Sequence, residues 1–143
     1  MSGVSDYILG LRHVGIVTEN LQATVSRLQE LFGVMDNEIV LVPAAGEPAA
    51  TRFAFFSIGG TPYEVIEPVS QHFRDILLNS NQGANHVCYT VSDLDAAVAE
   101  MARQGVRLGH VTADGIVEMP SSKMAYFDPR DTAGLLIEFV QDK

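Results

Sequence analysis

Four side chains of this 143-residue chain have the types and spacing to do chemistry together: His13, Glu64, His86 and Glu138. Two imidazoles and two carboxylates suit a borderline or hard divalent cation with open positions, such as Co, Ni, Mn, Fe or Zn. Each residue alone has a plainer reading. A strand-borne histidine is more often a hydrogen-bonded structural residue than a ligand. Glu138 could pair with an arginine, and Glu64 could share a solvated face with Glu67. Glu138, however, stands inside the apolar run 135–140, where an isolated charge is strongly disfavoured and a cation would compensate it.

An internal duplication links the four. Residues 13–25 align without gaps on residues 86–98, matching His13 to His86, Asn20 to Asp93, Leu21 to Leu94 and Val25 to Val98. Gly33-Val34 then matches Gly105-Val106, Phe55-Phe56 falls on Tyr126-Phe127, and residues 63–66 fall on 137–140. Repeats of this kind mean that one supersecondary unit is used twice. Independent structural residues have no reason to recur in register, so the duplication favours one site built from His13, Glu64, His86 and Glu138. His72 and His110 have no repeat partner and read as surface residues. Cys88, two positions after His86, reads as a small buried hydrophobe.

The elements that must position these residues have the same order in each half. Short β-branched stretches at 12–18 and 86–91 predict strands. Asn20 and Asp93 predict helix N-caps, with apolar residues at helical spacing behind them. Gly33 and Gly105 stand where a left-handed residue ends a helix. Three strands follow in each half, predicted at 38–42, 52–58 and 62–67 and at 107–111, 122–127 and 135–140. Gly59-Gly60 predicts a two-residue hairpin turn. The expected architecture is α+β: two βαβββ modules in tandem, about 9–69 and 83–143, joined by a linker helix at about 70–80. The mixed open sheet would curl around a metal site, within a single domain spanning 1–143.

Composition bounds the function. Eighteen acidic residues against nine basic ones leave a net charge of −9, which disfavours nucleic acid or an anionic membrane as partner. A single cysteine excludes an internal disulfide and a cysteine-based zinc site. No stretch resembles a signal peptide or a membrane span, so a soluble, cytoplasmic protein is the expectation.

These residues carry a family resemblance. The paired modules, with His13-Val14-Gly15 opening one and Asn85-His86-Val87 opening the other, resemble the vicinal oxygen chelate (glyoxalase/bleomycin resistance/dioxygenase) superfamily. The stretch from Phe127-Asp128-Pro129 to Leu136-Ile137-Glu138 is most similar to its methylmalonyl-CoA epimerase family. Two features depart from that family: Asn85 stands where a second histidine is common, and residues 114–122 replace a glycine-rich loop. The resemblance implies one divalent metal ion held by His13, Glu64, His86 and Glu138, a homodimer, and a small-molecule acyl-CoA thioester as substrate. Its implied reaction is epimerisation, with Glu138 as general base and Glu64 as ligand or opposing acid/base. Arg52, Arg74, Lys123 and Arg130 are candidate contacts for the phosphates of such a substrate. The ligand set His/Glu/His/Glu is also that of glyoxalase I, the alternative lyase reading. A metal-free drug-sequestering binder is the non-enzymatic alternative.

Overall fold

The computed structural model describes residues 3–79 and 83–143. Two compact units emerge, His13–Asn85 and the N-terminal residues up to Arg12 together with His86–Lys143. We call them the first and second unit. Strand β1 (Ile8–Val17) runs from the second into the first. The first unit continues through α1 (Leu21–Phe32), β2 (Val40–Val42), β3 (Thr51–Ile58), β4 (Thr61–Pro68) and α2 (Gln71–Leu77). The second contains β5 (Gly83–Val91) from His86 onward, α3 (Leu94–Arg103), β6 (Val117–Glu118), β7 (Ser122–Tyr126) and β8 (Ile137–Asp142). The fold is α+β, with two βαβββ modules in tandem.

Each unit has a mixed sheet. In the first, β1 runs parallel to β4, and β3 lies antiparallel to both β4 and β2. In the second, β5 runs parallel to β8, and β7 lies antiparallel to both β8 and β6. Parallel pairing of first with last strand requires a crossover, and the helix supplies it in each module.

The helices are held by the same devices twice over. Asn20 accepts a hydrogen bond from the Ala23 N–H, and Asp93 accepts one from the Ala96 N–H. The next amide is tied to the last strand of the module: Leu21 N–H donates to Glu67 Oε1 at 2.9 Å, and Leu94 N–H donates to Gln141 Oε1 at 2.8 Å. These bonds satisfy N-terminal amides that have no partner within a helix. Glu67 is therefore a helix tether. Both Gly59 and Gly60 have positive φ, 58° and 81°, as a two-residue I′ hairpin turn demands. Behind the sheets lie two apolar clusters: Val25, Val34, Ala54, Phe56 and Val65 in the first unit, and Leu94, Ala97, Ala125, Phe127 and Phe139 in the second. Val4, Tyr7 and Ile8 pack on the latter, which explains why the N-terminal residues group with the second unit.

The expected strand at 107–111 is not one. Leu108 makes an isolated bridge to Phe127, and His110–Thr112 forms a 3₁₀ turn. Side-chain chemistry replaces the ladder here: the Thr112 hydroxyl accepts from Tyr126 N–H at 2.7 Å and lies 3.0 Å from the carbonyl oxygens of Gly109 and Tyr126. The strand paired with β7 is β6. Likewise Asp36–Glu38 forms a 3₁₀ turn before β2 begins at Val40. The expected linker helix is α2, capped by Ser70 accepting from Phe73 N–H; Ser80 at its expected end lies outside the described residues. No helix among the described residues is long and apolar enough to cross a membrane.

Candidate metal centre

The first unit brings His13 and Glu64 together, and the second brings His86 and Glu138 together. On β1, Gly15 registers with Glu64; on β5, Cys88 registers with Glu138. Each histidine therefore stands two residues before the position facing its glutamate. Because side chains on a strand alternate faces, histidine and glutamate share a face in both modules. His13 Nε2 lies 3.5 Å from Glu64 Oε1, and His86 Nε2 lies 3.4 Å from Glu138 Oε1. All four side chains are largely enclosed, those of the second pair almost completely.

Such spacing fits metal ligation. Donors about 2.0–2.1 Å from one ion are separated by roughly 2.9 Å in octahedral and 3.4 Å in tetrahedral geometry. Neutral imidazole does not offset the cost of a buried carboxylate, whereas a divalent cation does. The residues present fit a divalent metal ion.

Neighbouring groups prepare the ground. Arg12, one residue before His13, forks onto Asp142 with bonds of 2.9 and 3.0 Å and reaches Thr90 at 3.4 Å. This pins the start of β1 to the end of β8. The hydrogen bond from Arg12 holds the Asp142 carboxyl below the usual range, and Asp142 in turn raises Arg12. Cys88 is fully buried, as a small hydrophobe would be.

Two residues near the second pair escaped sequence reasoning. Tyr126 registers with Glu138 across β7 and β8, and its ring meets His86 edge-on at 5.3 Å. The match of Phe55 to Tyr126 in the repeat was the available signal, since Phe55 registers with Glu64. His110, expected at the surface, is instead half-buried with its ring 5.0 Å from Tyr126. Burial lowers its pKa first, the nearby His86 lowers it further, and Glu138 opposes both. His72 is exposed, as expected.

The candidate phosphate contacts have protein partners. Lys123 pairs with Asp95, Arg130 with Asp128, and the Arg52 guanidinium donates to the Glu47 carbonyl. Arg52 also lines a cavity of about 780 Å³ in the first unit, beside Asn20, Gln29, Leu41 and Glu67. Neither His13 nor Glu64 lines that cavity.

The profile of the Glyoxalase/Bleomycin resistance protein/Dioxygenase superfamily matches residues 12–126, and the chain belongs to that superfamily. Among its relatives, the mitochondrial methylmalonyl-CoA epimerase of Mus musculus is 24% identical over 134 residues, 92% of this chain and 72% of the mouse protein. The crystal structure of methylmalonyl-CoA epimerase from Mycobacterium tuberculosis is 26% identical, with a TM-score of 0.66 over 96% of this chain and 90% of that one. A Streptomyces coelicolor methylmalonyl-CoA epimerase in complex with 2-nitronate-propionyl-CoA shares the fold at 22% identity, with a TM-score of 0.68 over 94% and 97% of the two chains.

Proposed function

We propose that this chain is a metal-dependent epimerase of a 2-substituted acyl-CoA thioester, of the methylmalonyl-CoA epimerase kind, working as one domain over residues 1–143. The carrying observation is the His–Glu pair repeated in the same register in each unit. The two histidines also occupy equivalent places in the chain's path, since His13 opens the first unit and His86 is the first residue after it. In this reading His13, Glu64, His86 and Glu138 hold one divalent ion. The similarity to methylmalonyl-CoA epimerases supports the substrate class.

A bound divalent ion supplies Lewis-acid stabilisation of negative charge developing on a carbonyl oxygen. Glu138 removes the proton alpha to the thioester carbonyl. Its enclosure beside Tyr126 and Phe139 excludes water from the base and strengthens electrostatic interactions there. Glu64, the more exposed carboxylate of the two, delivers a proton to the opposite face. Inversion at one carbon requires a donor on each side, and two carboxylates from duplicated strands meet that requirement.

A second reading, glyoxalase I, draws on one observation: position 64 is glutamate, giving the full His/Glu/His/Glu set of that enzyme. The test is α-proton exchange in deuterated water by metal-loaded protein, with methylmalonyl-CoA and the methylglyoxal–glutathione hemithioacetal assayed side by side. Exchange with the thioester supports the epimerase reading. Turnover of the hemithioacetal alone supports the lyase.

A further inference from the structure

His110 sits in a place that packing alone does not explain. Both ring nitrogens are shielded from solvent and have no hydrogen-bond partner among the described residues. A neutral imidazole always carries one N–H donor and one acceptor nitrogen. Leaving such groups buried and unsatisfied costs about 1–3 kcal/mol each. A phenylalanine or leucine would fill the same space without that cost.

The backbone adds a second cost. His110 has φ of 54°, in the left-handed region that non-glycine residues rarely occupy. Its surroundings leave no route to relax. Thr112 locks the following turn onto Gly109 and Tyr126. The Gly109 Cα packs so closely on Asp128 that an added Cβ would meet its backbone at 2.8 Å. Strain of this kind persists where the surroundings over-determine it, and it gathers at functional sites.

The ring's placement indicates the purpose. His110 tilts against Tyr126 at 5.0 Å, Tyr126 meets His86 edge-on at 5.3 Å, and Tyr126 is the register partner of Glu138. Imidazole, phenol and imidazole thus form a continuous stack inside the second unit, ending at the His86–Glu138 pair. We propose that His110 is a further substrate-binding residue of this site, its imidazole forming a hydrogen bond with an oxygen of the acyl group. Burial and the neighbouring His86 favour its neutral form, which keeps a donor without adding charge beside the metal ligands. This inference rests on the acyl-CoA reading above.

The test uses H110F, which keeps a flat ring on Tyr126 and removes both nitrogens, and H110N, which tolerates the left-handed backbone and retains a donor. Steady-state epimerisation of methylmalonyl-CoA is measured on metal-loaded protein together with the thermal midpoint. H110F raises KM about tenfold, the worth of one hydrogen bond, with a smaller change in kcat and an undiminished melting temperature. H110N recovers part of the loss. Wild-type KM in H110F overturns the role of His110 and leaves the acyl-CoA reading intact. Wild-type protein that neither exchanges nor epimerises methylmalonyl-CoA overturns both. Should H110F not fold, the ring ¹⁵N resonances of His110 in wild-type protein decide: a shift on adding methylmalonyl-CoA is expected, and an unmoved signal at saturation overturns the proposal.

Discussion

In the first unit Glu64 lies between Gly15 and Phe55; in the second, Glu138 lies between Cys88 and Tyr126. The backbone register is the same and the floor is not. Phe55 stacks on Phe53 at 5.9 Å, which makes the first floor apolar. Tyr126 instead bridges His86 and His110, which gives the second a polar aromatic stack. The two glutamate side chains differ accordingly, at 13% and 7% exposure. Duplication has kept the His–Glu pairs and the strand geometry while the residues beside them diverged. That is the arrangement a reaction with two unlike faces requires, in which one carboxylate takes a proton and the other returns it.

The sharpest way to break this asymmetry is to neutralise each carboxylate in turn. E138Q is expected to lower α-proton exchange by about 10²–10⁴-fold, the usual contribution of a general base. E64Q is expected to lower epimerisation by about tenfold to a hundredfold while exchange falls less, because an amide keeps a donor oxygen but cannot deliver a proton. Deuterium incorporation and inversion, followed in the same reaction by NMR and chiral analysis, separate the two. Undiminished exchange in E138Q would remove the proposed role of that residue.

The cores allow the comparison to be drawn on stability as well. Phe127 is fully buried and packs edge-on against Phe139 at 4.9 Å, whereas its repeat counterpart Phe56 retains some exposure and stacks on Tyr63 at 6.3 Å. F127A should cost about 4–5 kcal/mol and F56A about 3 kcal/mol in urea unfolding. A larger loss in F56A would reverse the ranking.

Smallest is an effect confined to the turn before β8. Arg130 donates to Asp128 through side chain and backbone and, with Arg107 adding its charge, brings Asp128 down to about 2 from the usual 3.8. A lowered carboxylate pKa stabilises the fold fully above the ordinary value, and that contribution fades as pH falls from about 4 to about 2. The corresponding Gly59-Gly60 turn carries no carboxylate and lacks this dependence. NMR titration of Asp128 checks the shift, and R130A should return it toward 3.8.

Much of this was legible in the sequence because duplication writes each signal twice. The caps at Asn20 and Asp93, the glycine turn and the His–Glu spacing all depend on local periodicity and local backbone demands, which a sequence displays directly. Failure came where tertiary contacts overrode propensity. The β-branched residues near Val111 suggested a strand, yet the Thr112 hydroxyl binds the β7 edge and Gly109 is pressed against Asp128, so the chain turns instead. That same turn carries His110 inward, which no pattern around residue 110 announces. Glu67 looked like surface charge because its partner is a backbone amide 46 residues away.

The central claim is that the two His–Glu pairs serve one ion. Elemental analysis of purified, metal-loaded protein, alongside H13A and H86A, tests it most directly. The account predicts one divalent ion per chain in the wild type and loss of that ion in either variant, because removing one ligand undoes the shared site. Two ions per chain, or wild-type metal content in either single variant, would contradict it.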